Sequence, residues 1–216
     1  MSGDLLAGLA TPSAEALADG AVLLRAFALE EAPALLDEIS KVAARAPFRH
    51  LVTPGGFRMS VAMTNCGTVG WISDRRGYRY GAEDPETGHP WPAMPALFRD
   101  LAARAAAAAG YPGFAPEACL INRYQPGARL TLHQDRDEGN LSHPIVSVSL
   151  GVAATFLFGG LDRKNRPCRI RVEHGDVAVW GGPSRLAFHG IDPLKPGDHP
   201  LTGALRFNLT FRKALS

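Results

Sequence analysis

The sequence predicts a mainly β fold with some helix, an α+β jelly roll of two facing sheets flanked by helices. Three observations predict it. Eight short β-rich runs crowd into the last hundred residues, separated by turn pairs such as PG, GG and HG. Two segments upstream carry apolar residues at helical spacing. Between those two lies a stretch rich in Gly, Thr, Asn, Tyr, Trp and Pro that reads as hairpins and exposed loops. The length of 216 residues fits one domain, residues 1–216.

The elements follow in order. The first 20 residues read as a loosely attached arm. AVLLR (21–25) reads as a strand. EAPALLDEISKVAAR (31–45) reads as an amphipathic helix with Pro47 just beyond it, and PALFRDLAARAAAAA (95–109) as a second helix stopped by Gly110. The strand runs are CLINRY from Cys119, ARLTLH ending at His133, IVSVSL, ATFLF, RIRVE, DVAVW, RLAFH ending at His189, and LRFNLTF. The expected jelly-roll core spans about 119–213.

Composition narrows the function classes. The three cysteines, Cys66, Cys119 and Cys168, form no CxxC pair, which argues against a disulfide framework and a thiolate zinc site. They suit a reducing cytoplasm, the expected location. MSGDLLAGLA does not resemble a signal peptide, and no apolar run reaches membrane-spanning length, so no membrane association is expected. A monomer is the expected state.

Net charge is only +2, but its distribution is uneven. Residues 41–80 hold seven basic side chains (Lys41, Arg45, Arg49, Arg58, Arg75, Arg76 and Arg79) against Asp74. A second cluster holds Arg163, Lys164, Arg166, Arg169 and Arg171 against Asp162. Such patches can neutralise phosphates, though a solvated face is the plainer reading of charge alone.

Two constellations carry chemistry. His133 and Asp135 are two residues apart at a strand end, so both can point the same way. His189 ends another expected strand and can join them. Two imidazoles and a carboxylate on one face leave positions open on an ion, the arrangement used by Fe(II) oxygenases, although zinc also fits this set. An HxD pair by itself is more often a surface turn. His50, His89, His143, His174 and His199 read as structural or exposed.

The C-terminal strand favours iron. Arg206, Asn208, Thr210 and Arg212 alternate with Phe207, Leu209 and Phe211. If the aromatic face packs under the helices, two arginines point inward, which is costly without anions. A small dicarboxylate would satisfy both, one carboxylate each, and Asn122 and Tyr124 on INRY could complete its pocket. Arginines facing solvent on an edge strand are the competing reading.

INRY, HQD, HGDVAVWGG, FHGI and RFNLTFR together resemble the AlkB-type alkylation-repair dioxygenases, from about Ala21 to Arg212. PFRHLVTPGGFRMSVAMTNCG and HPWPAMP resemble the bacterial members. The resemblance implies a double-stranded β-helix core and a nucleotide-recognition lid over about 48–92. It implies Fe(II) held by His133, Asp135 and His189. It places Asn122, Arg123, Tyr124, Arg206, Asn208, Thr210 and Arg212 around 2-oxoglutarate, Arg206 gripping the distal carboxylate and Arg212 lying near the end that chelates iron. Trp71, Tyr78, Arg79 and Tyr80 correspond to the lid over the damaged nucleotide, Asp137 and Arg163 to positions near the base, and Thr53 and Met63 to others near the nucleic acid.

The implied reaction uses O2 to convert 2-oxoglutarate to succinate and CO2 while hydroxylating an N-alkyl carbon, which leaves as an aldehyde. The implied partner is alkylated DNA, single-stranded by preference, with duplex DNA and RNA left open. A methylated base is cationic and favours π faces, here Trp71 and the His133 ring, with Asp137 as counter-charge. It must leave the stack to reach a buried iron. Competing readings are a dioxygenase of the same fold acting on another substrate, and a non-catalytic β-barrel that binds nucleic acid through its basic patch.

Overall fold

The computed structural model describes residues 13–215. Its core is two antiparallel sheets face to face. The larger contains β1 (Ser13–Ala18), β2 (Ala21–Arg25), β3 (Ala62–Gly67), β6 (Ala118–Tyr124), β8 (Ile145–Gly151), β11 (Val177–Trp180) and β13 (Arg206–Arg212), in the order β1-β2-β11-β8-β13-β6-β3. The smaller contains β7 (Leu130–His133), β9 (Ala154–Phe158), β10 (Cys168–Val172) and β12 (His189–Ile191), in the order β10-β9-β12-β7. A separate hairpin pairs β4 (Gly70–Asp74) with β5 (Gly77–Gly81). Helices α1 (Ala32–Arg45) and α2 (Ala96–Ala108) cover the outer face of the larger sheet.

Strand alternation sorts side chains between two cores. Val146, Val148, Leu150, Leu209 and Phe211 pack outward against Leu35, Ile39, Phe98 and Leu101 of the helices. Their neighbours Ile145 and Tyr124 face inward, with Trp180 of β11, onto Phe156, Phe158 and Val172 of the smaller sheet. The larger sheet is therefore covered on both faces. That explains why IVSVSL reads as an apolar run broken only by two serines. Those serines, Ser147 and Ser149, occupy inward positions and line the central cavity.

Three expectations need correction. The arm is not loose over its described part. β1 pairs with β2, and Arg25 bonds both Glu15 and the buried Asp176. The remainder of the expected arm, residues 1–12, lies outside the described residues. RLAFH is not a strand. Residues 182–184 form a 3-10 turn, and β12 begins rather than ends at His189. The expected lid is also not one piece. Its residues 62–67 are an edge strand of the larger sheet, and only the flanking loops and the β4–β5 hairpin stand over the cavity.

Asp176 ties the first strands to the core. Its carboxylate accepts from Arg25, from the Ala26 backbone N–H at 3.0 Å and from that of Glu173 at 2.9 Å. The Ala26 bond fixes a corner of φ 53°, a left-handed conformation that residues other than Gly rarely adopt. Asp176→Ala should therefore cost about 2–4 kcal/mol, because one buried and one part-buried backbone donor and a guanidinium lose their acceptor. The urea midpoint measures this, and a shift worth under about 1 kcal/mol contradicts it.

Candidate active site

The β7–β12 ladder sets His189 opposite His133 in register, so both rings leave the sheet on the same side. Their centroids lie 4.4 Å apart. Each Nδ1 sits against a main-chain carbonyl, Thr131 at 2.8 Å for His133 and Ala187 at 3.0 Å for His189. Nδ1 then carries the proton and Nε2 presents its lone pair. Asp135 lies just past the end of β7. Its Oδ1 is 3.7 Å from His133 Nε2 and its Oδ2 is 3.7 Å from His189 Nε2. One donor atom from each residue falls within 4.8 Å of the others, close enough to share an ion.

Electrostatics suits metal binding. Burial pushes the His189 imidazolium down to about 4, so the ring is neutral at pH 7. Burial opposes ionisation of Asp135, but the charge and hydrogen bonds of Arg212 outweigh it and hold the carboxyl below its usual range. The triad thus brings two imidazole nitrogens and a carboxylate together, a donor set that suits iron(II) and would leave the far side of an ion open.

A cavity of about 910 Å³ opens from this triad, lined by Asn122, Tyr124, Arg206, Asn208, Thr210 and Arg212. The β6–β13 register pairs Arg206 with Tyr124 and Asn208 with Asn122. Asn122 donates to Asn208 at 3.1 Å, and Thr210 donates to the same oxygen at 2.8 Å. Arg206 lies over the Tyr124 ring at 4.8 Å and donates one bond, to Ser149 Oγ. Its Nε and second terminal nitrogen are buried without a partner. Burial lowers its pKa below the ordinary arginine value. A buried cation with unused donors calls for an anion such as a carboxylate.

Two cosubstrate expectations change. Arg212 already has its anions. It bonds Asp135 at 2.6 Å and lies 3.3 Å from Glu138, so of the two inward arginines it is Arg206 that keeps buried donors without a protein partner. Arg123 faces the opposite way, its guanidinium 4.6 Å over the Phe48 ring on the helix side of the sheet. The alternation that sends Asn122 and Tyr124 inward sends Arg123 out.

Thr53, Met63, Trp71, Tyr78, Asp137 and Arg163 all line the same cavity. Trp71 stacks on Tyr78, centroids 5.4 Å apart and planes 13° apart, and its indole N–H donates to Asp137 at 2.9 Å. Arg79 and Tyr80 do not face the cavity. Arg79 pairs with Asp74 within the hairpin, and Tyr80 donates to buried Glu138 at 2.7 Å. The basic 41–80 segment is not one phosphate surface either. Lys41 pairs on α1 with Asp37 and Glu38, and Arg49 with buried Asp84. Arg58 is the member of that cluster that reaches the cavity mouth, where Arg129 and Arg136 join it.

Sequence reasoning missed Glu138 and Arg185. Arg185 donates to Glu138 at 3.1 Å and to the main-chain oxygen of Asp135 at 2.7 Å. The cluster of acids in HQDRDE is the signal that could have raised Glu138. Arg185 sat in a run read as a strand and gave none.

Comparison with known proteins agrees with this geometry. A family model described as the 2OG-Fe(II) oxygenase superfamily matches residues 20–212. The α-ketoglutarate-dependent dioxygenase AlkB of Salmonella typhimurium LT2 is 61% identical over 203 residues, 94% of each chain. That of Escherichia coli K12 is 61% identical over 205 residues, 95% of each chain. The solved structure of OsALKBH1 superposes with a TM-score of 0.83 at 31% identity, covering 93% of this chain and 99% of that one. Sequence, fold and donor set agree, and the chain belongs to the 2OG-Fe(II) oxygenase superfamily as an AlkB-type dioxygenase that uses iron(II), 2-oxoglutarate and O2.

Proposed function

We propose that this enzyme removes alkyl groups from N-alkylated bases such as 1-methyladenine and 3-methylcytosine, in single-stranded DNA by preference, with duplex DNA and RNA as further candidates. One observation carries the reading. A single cavity joins Arg206, the His133–Asp135–His189 triad, the Trp71 platform with Asp137, and Arg163. An alkylated base is flat and cationic, and this cavity places an aromatic face and a carboxylate beside the metal donors. Asp135 and His189 are buried beneath them, out of reach of a base still stacked in a duplex, so the nucleotide enters flipped or from a single strand.

In this reading His133, Asp135 and His189 hold the iron. Arg206 grips the distal carboxylate of 2-oxoglutarate, with Asn122, Tyr124, Asn208 and Thr210 framing it and Ser149 fixing the guanidinium. Bound iron and cosubstrate supply oxidation of the N-alkyl carbon by O2, with loss of an aldehyde and formation of succinate and CO2. The chain's own part is positioning and exclusion of water. Trp71 receives the base on the face opposite Tyr78, Asp137 favours the positive ring, and Arg58, Arg129, Arg136 and Arg163 at the mouth attract flanking phosphates without choosing sequence. The three free thiols suit a reducing cytoplasm.

Mass spectrometry of methylated oligonucleotides incubated with iron, ascorbate and 2-oxoglutarate tests the reading. Loss of 14 Da per methyl group, roughly one CH2, is expected from the wild type and none from His133→Ala. Succinate release that ignores every oligonucleotide contradicts it. Arg206→Ala should raise the KM for 2-oxoglutarate roughly 30- to 700-fold, the equivalent of about 2–4 kcal/mol for a lost buried charge pair. Trp71→Ala should weaken lesion binding by about 1–3 kcal/mol in a fluorescence titration. Unchanged affinity removes Trp71 from the platform.

A further inference from the structure

Behind the metal donors lies a buried cluster of two anions and two cations, Asp135, Glu138, Arg185 and Arg212. Glu138 is its hub. Its Oε2 accepts from Arg185, which also holds the main-chain carbonyl of Asp135 at 2.7 Å. Its Oε1 lies 3.3 Å from Arg212 Nε, and Arg212 grips Asp135 Oδ2 through Nε at 2.8 Å and a terminal nitrogen at 2.6 Å. Both cations that fix Asp135, one by its backbone and one by its carboxylate, are therefore anchored on the same acid. Oε1 has one further partner, the Tyr80 hydroxyl at 2.7 Å, and Tyr80 belongs to the β4–β5 hairpin over the cavity.

We propose that Glu138 is a positioning residue for the metal ligand Asp135, and that Tyr80 carries the position of the hairpin to it. The proposal rests on the reading that His133, Asp135 and His189 hold the metal. Arg212 is shared between two carboxylates. With the Tyr80 O–H in place, part of the negative charge on Glu138 is taken up by that donor and Arg212 stays on Asp135. Without it, Glu138 competes harder for Arg212, and Asp135 loses the bonds that aim its oxygen at the ion. The hairpin that bears Trp71 thereby acts on the metal site through two intervening residues, Glu138 and Arg212. Groups that orient a ligand typically alter metal affinity by about 10- to 100-fold, and one link further out the effect should be smaller.

Cobalt(II), a spectroscopic stand-in for iron(II), tests this in the full chain. Titration of metal-free protein should show Tyr80→Phe binding cobalt at least threefold more weakly than wild type, with an altered visible absorption band. Glu138→Gln should shift both further. Asp74→Asn, which breaks the Arg79 pair in the same hairpin without reaching Glu138, should keep wild-type affinity and spectrum. The ratio of succinate formed to base restored should rise in Tyr80→Phe, because cosubstrate turnover is no longer tied to the hairpin. A merely structural role for Tyr80 would lower the melting temperature and leave the cobalt spectrum of the folded protein unchanged, and that result overturns the proposal. If Glu138→Gln does not fold, Tyr80→Phe decides alone. Cobalt binding that is the same in wild type and His133→Ala overturns the metal-site reading itself, and the proposal with it.

Discussion

A carboxylate that is to serve as a metal ligand inside a protein must be kept ionised where water is scarce. Burial by itself pushes Asp135 toward its neutral form. The fold counters this with Arg212, close enough for two hydrogen bonds to one carboxylate oxygen. Arg212 is buried too, so it brings the same problem with the opposite sign, and Glu138 and Arg185 follow for the same reason. Removing one member leaves an uncompensated charge among the rest, at a cost of several kcal/mol. The four groups therefore stand or fall together, and the segment from Asp135 to Glu138 has to hold one conformation.

Strand register supplies the rest of the geometry. His133 and His189 are far apart in sequence, yet the β7–β12 ladder makes them direct partners. The β6–β13 ladder does the same for Asn122 with Asn208 and Tyr124 with Arg206. A slip of one residue in the β6–β13 ladder would turn its polar side chains toward the helices and bring Phe207, Leu209 or Arg123 inward, and one in the β7–β12 ladder would turn the histidines away from the cavity. Both faces of the larger sheet are covered by apolar residues, so such a slip would bury charge on one side and expose aromatic rings on the other. Packing and function thus fix the same register.

That coupling explains what the sequence disclosed. The alternation in RFNLTFR separated the helix-facing aromatics from the inward polar set, and the structure keeps that separation. HxD and the distant histidine stood out because few other histidines lie at strand ends, and the structure brings one donor atom of each within 4.8 Å of the others. Arg212 does point inward as alternation predicts, but alternation tells which way a side chain points and not which protein carboxylate it meets. Its partner Asp135 comes from another strand end, a long-range fact with no local signature. Arg123 was carried along by its neighbours in INRY, although the same period-two rule places it on the opposite face. RLAFH has the composition of a strand, but Pro183 and the turn it starts take up the residues before His189. The charge count over 41–80 failed for a related reason, since Arg49 and Arg79 are neutralised by acids at positions that composition does not pair.

The short segment after β7 serves two masters, and this bears on how a base could enter. Asp135 faces the metal donors, Asp137 holds the Trp71 indole, and Glu138 holds the Tyr80 hydroxyl. Trp71 and Tyr80 are themselves cross-strand partners in the β4–β5 hairpin. The hairpin is thus fastened at neighbouring points to residues two and three positions beyond Asp135. Asn65 adds a third fastening, bonding the Trp71 backbone both as donor and as acceptor. A platform held this firmly loses little conformational entropy when a base stacks on it. The N–H taken by Asp137 also keeps the indole from rotating away. On the proposed function, a neutral base gains only stacking from this arrangement, whereas a cationic one also gains the field of Asp137. Selection for alkylated rings then follows from charge at a fixed platform rather than from shape alone.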